Sequence, residues 1–166
     1  MTTVPCAIAL GSNLGNSWNI LQAALVAIHS PSTVELVAQS SVYQTVAIGP
    51  VQPDILNACA VVNTTLSPQY LLRRLLHIEQ TFGRVRRQRW GPRTLDLDLI
   101  FYGQACLTDS NLHIPHPRLR ERAFVLVPLS EVAPDWRDPV SGQSVKSLCN
   151  AVGSAGVTRI GTISHR

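Results

Sequence analysis

The hydrophobic pattern at the start of the chain predicts a strand followed by a helix. Residues 4–10 form a short apolar run that ends at a glycine, which is typical of a buried strand. In residues 17–30, apolar side chains recur every three or four positions and so share one helical face. These side chains are Trp18, Leu21, Leu25 and Ile28.

Two further strands are predicted from β-branched residues. Residues 34–45 and 57–66 are both rich in valine and threonine, which favour extended backbone. Between them lies a connection of about ten residues that contains two prolines and a glycine, which is long for a hairpin. Ordered loops of this length in small domains are often functional, so we expect this one to contribute to a site.

A second helix and a fourth strand complete the pattern. Ser67 followed by Pro68 is a helix-start signal, and the apolar spacing behind it continues until Gly83. Residues 95–102, LDLDLIFY, alternate apolar and polar side chains as a strand does. The order β-α-β-β-α-β predicts an α+β fold of the ferredoxin-like type, with helices packed on one face of an antiparallel sheet.

The remaining residues, 104–166, are expected to extend this unit. Helices are predicted around ERAFVLVPLSEVA and SVKSLCNAV. No linker, low-complexity tract or internal repeat divides the chain, and its 166 residues suit one domain. We therefore expect residues 1–166 to form a single domain extended by C-terminal helices.

Composition narrows the class of protein. The chain is 45% hydrophobic and 14% charged, which excludes a disordered or fibrous protein. Its apolar runs are too short to span a bilayer and its first residues lack a basic segment, so we expect a cytoplasmic protein without a membrane partner. The four cysteines form no CxxC pair and are expected to be buried thiols. Zinc binding by His113 and His116 is disfavoured, because a proline separates them.

Positive charge is concentrated in one segment. Five arginines fall within ten positions: Arg84, Arg86, Arg87, Arg89 and Arg93. The planar guanidinium group pairs bidentately with phosphate or carboxylate oxygens. This cluster therefore predicts an anionic partner.

Two carboxylates follow directly, on one face of the predicted fourth strand. Strand alternation places Asp96 and Asp98 on the same side, about 7 Å apart at the backbone. By the same alternation, Thr94 and Ile100 share their face, and the opposite face, directed to the core, carries Leu95, Leu97, Leu99 and Phe101. Magnesium, which prefers oxygen ligands, would relieve the repulsion between the two charges. The alternative is that each aspartate pairs with a nearby arginine on a solvated sheet face.

Carboxylates for magnesium and guanidinium groups for phosphate together favour a phosphoryl-type transfer. The Walker A phosphate loop is absent, because GSNLGN lacks the lysine. A nucleotidyltransferase would also have a Gly-Ser turn and a DxD strand, but these lie close together there, whereas Gly11 and Asp96 are far apart in this chain. An RNA-binding module would explain the arginines, yet CAIAL and LDLDLIFY lack the stacking aromatics it needs on its central strands.

Residues 89–99, RWGPRTLDLDL, match a specific signature: a basic residue, any residue, Gly-Pro-Arg, two more residues, then Asp-aliphatic-Asp. With ALGSNLGN, GPVQPDILNA, IEQTFGRVR and IPHPRLRERAFVLVPL, this signature resembles the 6-hydroxymethyl-7,8-dihydropterin pyrophosphokinases of folate biosynthesis over nearly the whole chain. Members of that family are ferredoxin-type α/β sandwiches, in agreement with the predicted order of elements.

The resemblance implies that the chain transfers the β,γ-pyrophosphoryl group of ATP to the pterin hydroxymethyl group, leaving AMP. It implies two Mg²⁺ ions on Asp96 and Asp98, and stabilisation of the transferring group by Arg84 and Arg93. The implied ATP contacts are Arg86, Arg89, Trp90, Leu99, His116 and Arg122. The implied pterin contacts are Thr45, Val46, Ile48, Ile55, Asn57, Trp90 and Phe124, with the ring between Trp90 and Phe124. The expected partners are ATP and the pterin alone, without nucleic acid, and the expected state is a monomer.

Two positions depart from the family pattern. Ile55 stands where the family usually has Phe or Tyr, and TVAIGP lacks the proline that commonly follows the threonine by two residues. A looser outer wall of the pterin pocket is therefore expected. Asp54 is expected to cap a turn after Pro53, and Glu79 to pair with a nearby arginine.

Overall fold

The strands and helices follow the predicted order in the computed structural model, which describes residues 2–46, 52–83 and 94–164. The strands are β1 Val4–Ser12, β2 Val34–Gln39, β3 Val42–Thr45, β4 Ile55–Thr64, β5 Asp96–Tyr102, β6 Leu107–Thr108, β7 His113–Ile114 and β8 Val157–Gly161. The helices are α1 Ser17–Ile28, α2 Pro68–Thr81, α3 Ala123–Val132 and α4 Val145–Val152, with a 3-10 turn at Leu119–Glu121.

The main sheet is antiparallel, with the strand order β5-β1-β4-β3-β8, and β2 also pairs with β4. Its central part, β5-β1-β4 followed by β2 and β3, has the strand order of a ferredoxin-like sheet, so the predicted α+β class is confirmed. The predicted start of α2 is confirmed as well, because the Ser67 hydroxyl accepts the Tyr70 backbone N–H at 3.2 Å and Pro68 begins the helix. The edge strand β8 was not predicted.

The predicted strand 34–45 is interrupted, and Ser40 is the reason. Its backbone N–H donates to the Cys59 carbonyl at 2.9 Å, and its hydroxyl accepts the Cys59 N–H at 2.9 Å. A side-chain oxygen thus replaces one backbone partner in the ladder, and the pairing with β4 resumes in β3 with a shifted register. β2 and β3 therefore lie along the same edge of β4 as two separate strands.

Helices cover both faces of the sheet, so the predicted one-sided packing is incomplete. One core cluster joins the sheet to α1 and α2 and includes Ile8, Leu10, Leu21, Leu25, Leu71, Leu75, Leu97 and Leu99. A second cluster joins the opposite face to α3 and α4 and includes Ala7, Ala9, Cys59, Ile100, Phe101, Leu126, Leu129 and Leu148. The predicted C-terminal helices are confirmed, and they form the second layer.

A bulge in β5 reverses the predicted direction of one side chain, Phe101. Ala7 pairs with Phe101 whereas Ile8 pairs with Leu99, so the register shifts by one residue between these positions. Phe101 consequently packs in the second core cluster, together with Ile100, and not with the leucines as the alternation predicted. Leu97 and Leu99 keep their predicted direction. Asp96 and Asp98 therefore still point to the opposite face of the sheet, which carries the second layer.

The cysteines differ from one another in exposure. Cys6 and Cys59 are buried and Cys149 is half-buried, but Cys106 is exposed, so the prediction of buried thiols is wrong for Cys106. Among the described residues, every helix is too short or too polar to cross a bilayer.

Candidate active site

The strand register aligns three positions of the candidate site in one row across the sheet. Gly11 of β1 pairs with Asp96 of β5 on one side and with Asn57 of β4 on the other. Directly opposed residues project to the same face, so the Asp96 and Asn57 side chains flank the bare backbone of Gly11. Neighbouring strands lie about 4.8 Å apart, so the two residues are separated by about 10 Å at the backbone. An acidic group and an amide thus face the same space from opposite sides.

The second aspartate lies beside another small residue. Asp98 pairs with Ala9, and both Asp96 and Asp98 are half-buried. The predicted common face of the two carboxylates is therefore present in the fold. Because β1 offers only Gly11 and Ala9 next to them, no bulky side chain of β1 fills the space in front of the carboxylates.

A cavity of about 110 Å³ occupies this space. Its lining consists of Ala9, Leu10, Gly11, Ser12, Thr45, Val46, Gln52, Ile55, Asn57, Asp96, Asp98, Arg122, Phe124 and Val125. Five of the predicted pterin residues and three of the predicted charged residues therefore meet in a single cavity. The pterin residues come from β3 and the residue after it, from β4 and from α3, and the acidic ones come from β5.

The amide of Asn57 has a defined direction. Asn57 is 4% exposed, and its Nδ2 donates to Thr45 Oγ1 at 2.9 Å and to the Ile55 carbonyl at 3.4 Å. Its Oδ1 lies 3.4 Å from the point where a Cβ on residue 11 would stand, which is above Gly11 in the cavity. Asn57 therefore presents a hydrogen-bond acceptor to the cavity.

Donor groups lie near the acidic end of the cavity. Arg122 is the N-cap residue of α3, and its guanidinium group stands 5.5 Å from the centre of the Phe124 ring. His116 Nδ1 accepts the Arg118 backbone N–H at 3.2 Å, so the ring proton is on Nε2. Burial, with a smaller effect of the Arg122 charge, lowers the pKa of His116 to about 4, and Asp96 acts in the opposite direction. At neutral pH His116 is an uncharged donor close to Asp96 and Arg122.

Glu79 connects α2 to the strand that carries the aspartates. It is 2% exposed, and its carboxylate accepts the Leu97 backbone N–H at 2.7 Å. Leu97 lies between Asp96 and Asp98, so this bond fixes the backbone from which both carboxylates project. The predicted pairing of Glu79 with an arginine stays a prediction. Asp54 accepts the Gln44 side-chain amide at 3.0 Å on the surface.

Removing the Glu79 carboxylate is expected to destabilise the protein. In Glu79→Ala, the buried Leu97 N–H loses its acceptor, which costs about 1–3 kcal/mol of unfolding free energy. Denaturant unfolding measures this loss, with Glu35→Ala as the control because Glu35 is an exposed carboxylate on β2. Equal stability of the two variants would show that the Glu79–Leu97 bond contributes nothing.

Sequence reasoning did not assign Gly11, Asn13 or Gln52 to the site. Asn13 Nδ2 donates to Gln52 Oε1 at 2.7 Å and to the Pro53 carbonyl at 3.0 Å, which ties the turn after β1 to the segment before β4. Gln52 also lines the cavity. These residues lie in the segments GSNLGN and GPVQPD, which both carry the family resemblance. The resemblance was therefore the signal that could have assigned them to the site.

Some predicted site residues do not line the cavity. Leu99 packs in the first core cluster, on the opposite face of the sheet, so its predicted ATP contact would have to come from the backbone. His116 does not line the cavity either, although it lies near Asp96. The remaining predictions fall outside the described residues: Ile48, Arg84, Arg86, Arg89, Trp90 and Arg93.

Comparisons with known proteins agree on one family. A family model described as 7,8-dihydro-6-hydroxymethylpterin-pyrophosphokinase (HPPK) matches residues 7–134. The 2-amino-4-hydroxy-6-hydroxymethyldihydropteridine pyrophosphokinase of Synechocystis sp. is 49% identical over 145 residues, which cover 87% of this chain and 74% of that protein. The Pseudomonas aeruginosa protein of the same name is 43% identical over 154 residues, which cover 92% of this chain and 94% of that protein.

Solved structures support the fold. The structure of wild-type Plasmodium falciparum HPPK-DHPS with pterin and p-hydroxybenzoate superposes with a TM-score of 0.73 at 16% identity. The match covers 91% of this chain and 42% of that one, so this chain spans less than half the length of the Plasmodium protein.

Proposed function

The chain belongs to the 7,8-dihydro-6-hydroxymethylpterin-pyrophosphokinase family, and from this premise we propose that Asp96 and Asp98 hold two Mg²⁺ ions while Asn57 binds the pterin. The enzyme transfers the pyrophosphoryl group of ATP to hydroxymethyldihydropterin in folate biosynthesis. ATP and the pterin are thus its two substrates.

The observation that carries the proposal is the row Asp96–Gly11–Asn57 along one cavity. Its two ends differ in chemistry, because one offers carboxylates and the other a hydrogen-bonding amide. Gly11 leaves the space between them open to a flat ring. A pterin that places its amide-like edge on Asn57 would direct its hydroxymethyl group towards Asp96.

The two aspartates suit Mg²⁺. Their oxygens are the ligand type that this ion prefers, and their half-buried positions leave room for water and phosphate ligands. Among the described residues, no group of three His, Cys, Asp or Glu side chains forms a larger metal cluster. The site therefore fits ions that are completed by substrate oxygens. When bound, Mg²⁺ neutralises the charge on the ATP phosphates and orients them.

Side chains of this protein would bind the rest of the ATP phosphates. Arg122 offers guanidinium donors and His116 an Nε2–H donor near Asp96. Arg86 and Arg89, with Trp90 and the Leu99 backbone, complete the proposed ATP contacts. Arg84 and Arg93 would stabilise the transferring group, because phosphoryl-type transfer depends mainly on positioning and charge.

The pterin would be held by polar contacts at its edge and aromatic contacts on its faces. Asn57 Oδ1 accepts an N–H of the ring, and the Thr45 hydroxyl, which accepts from Asn57, keeps its own proton to donate to a ring acceptor. Phe124 and Trp90 would stack on the two faces. Val46, Ile48 and Ile55 would form the aliphatic remainder of the pocket.

The transfer itself exchanges one P–O bond for another. The hydroxymethyl oxygen of the pterin bonds to the β-phosphorus of ATP, and the bond from that phosphorus to the oxygen of AMP breaks. The hydroxyl proton leaves the pterin oxygen and passes to solvent water. The cavity would bring the oxygen and the phosphorus together if Asn57 held the far edge of the ring, because the aspartates lie at the other end. We further propose that residues 1–166 form one domain, which acts as a cytoplasmic monomer.

Product analysis with and without magnesium tests the proposal. With ATP, Mg²⁺ and hydroxymethyldihydropterin, chromatography is expected to show AMP and the pterin pyrophosphate. Chelation by EDTA should reduce turnover below detection, and excess Mg²⁺ should restore it in two steps as two ions bind. ADP would indicate an ordinary kinase, and free pyrophosphate a nucleotidyltransferase. Tight RNA binding without turnover would favour the binding-module alternative, and turnover in EDTA would contradict the metal assignment.

A further inference from the structure

The C-terminal strand β8 lies outside the family match, yet it borders the proposed pterin wall. The family model ends at residue 134, whereas β8 begins at Val157. β8 pairs antiparallel with β3, with Val157 opposite Thr45 and Arg159 opposite Tyr43. β3 has only four residues, so β8 converts a short edge strand into an internal one. An added strand that satisfies its outer backbone groups restricts the motion of β3.

A polar network connects β8 and α3 to the start of β3. Arg159 Nε donates to Ser41 Oγ at 2.9 Å. Ser41 donates to Glu131 Oε2 through both its backbone N–H, at 2.9 Å, and its hydroxyl, at 3.1 Å. The Tyr43 hydroxyl donates to Glu131 Oε1 at 2.5 Å. One carboxylate of α3 thus binds both residues, and Arg159 completes the chain of hydrogen bonds from β8.

The charges in this network strengthen its hydrogen bonds. Burial and the hydrogen bond to Glu131 raise the pKa of Tyr43, so its hydroxyl stays protonated and donates at neutral pH. The positive charge of Arg159 attracts the negative charge of Glu131. Hydrogen bonds to charged groups are stronger than those between neutral groups, so both contacts hold Ser41 firmly.

The other end of β3 carries Thr45, which fixes the direction of Asn57. Thr45 is two positions beyond Tyr43 along a strand of fixed register with β4. Thr45 Oγ1 is the acceptor for Asn57 Nδ2 at 2.9 Å, and this bond turns Asn57 Oδ1 into the cavity. A shift of β3 along or away from β4 would release the amide from this direction.

We propose that Arg159 is a positioning residue for pterin binding, which acts through Ser41 and Glu131 on β3 and thereby keeps the Asn57 acceptor directed at the ring. The inference rests on the proposed function of Asn57. Arg159 is exposed and belongs to the strand nearest the end of the described chain. It touches neither substrate in this arrangement, and its effect should be confined to the pterin.

Steady-state kinetics with both substrates tests this role. Arg159→Ala is expected to raise the KM for the pterin about threefold to tenfold, while kcat and the KM for ATP change less than about twofold. Arg159→Lys, which keeps a cationic donor, should restore much of the pterin affinity. Thr158→Ala is the matched control, because the neighbouring exposed side chain projects to the opposite face of β8. A general loss of folding would not separate the two substrates in this way.

A second variant examines the path through Ser41. Ser41→Ala removes the hydroxyl that links Arg159 to Glu131, so Arg159→Ala should have little further effect in that background. Additive effects of the two changes would overturn the proposed path. An equal rise in both KM values for Arg159→Ala would overturn the positioning role.

Asn57→Ala measured alongside separates the two possible failures. If it raises the pterin KM while Arg159→Ala does not, the inference about Arg159 is wrong and the proposed pterin site stands. An unchanged pterin KM in Asn57→Ala would overturn the proposed site and the inference together.

Discussion

Asp96→Asn and Asp98→Asn are each expected to lower turnover by at least ~10³-fold, because a charge-stabilising contact in a transition state contributes roughly 3–4 kcal/mol. Asparagine keeps the size of the side chain but removes the negative charge that a magnesium ion requires. Both side chains are half-buried beside Gly11 and Ala9, so the substitution introduces no steric conflict. Single-turnover kinetics with saturating ATP and pterin measures the effect on the transfer step itself.

Stability measurements separate this effect from unfolding. Removing one of two adjacent like charges relieves their repulsion, so the melting temperature of either variant should be unchanged or higher. Asp135→Asn is the matched control, since it removes the same charge from an exposed position after α3. Near-normal turnover in either site variant would show that the assignment of two metal ions to Asp96 and Asp98 is wrong.

Elements with a strong local signal could be predicted from the sequence. Apolar spacing located α1 and α2, and Ser67 with Pro68 located the start of α2, because helix periodicity and capping depend on residues within one or two turns. Strand alternation also placed Asp96 and Asp98 on one face. Each of these features is determined by neighbours in the chain, so no knowledge of the fold is needed.

Features that depend on partners far away in the chain could not be predicted. The bulge that turns Phe101 into the second core cluster depends on the register between β1 and β5. The break between β2 and β3 depends on Ser40, whose hydroxyl takes a place in the ladder opposite Cys59. β8 is short and largely exposed, and it forms a strand because β3 offers an open edge. In all three cases, the partner strand decides the outcome.

The candidate site likewise has some features that could be predicted from the sequence and others that could not. Thr45, Asn57 and Phe124 were assigned by resemblance, and the fold brings all three to one cavity with the aspartates. The direction of the Asn57 amide could not be predicted, because it depends on the Thr45 hydroxyl across a strand pair. Gly11 was also missed as a lining residue, since a glycine in a turn-like sequence gives no sign that two strands will flank it with functional side chains.

Asn57→Ala is expected to weaken pterin binding about tenfold to 100-fold, because a buried donor on the ring would lose its acceptor at a cost of about 1–3 kcal/mol. ATP binding should change little, since Asn57 lies at the opposite end of the cavity from Asp96 and Asp98. Pterin affinity is measured by calorimetry with and without a non-hydrolysable ATP analogue. Gln44→Ala is the control, because the adjacent exposed side chain of β3 projects away from Thr45.

Thr45→Val gives this prediction a sharper test. Valine keeps the shape of threonine but cannot accept from Asn57 Nδ2, so the amide loses its fixed direction and pterin affinity should fall by less than in Asn57→Ala. Part of that loss comes from the Thr45 hydroxyl itself, which we propose donates to the ring. The part that acts through Asn57 should disappear in the double variant. The loss of affinity in the double variant should therefore be smaller than the sum of the two single losses. Strict additivity would show that Thr45 and Asn57 bind the ring independently, and unchanged affinity in Asn57→Ala would place the ring elsewhere.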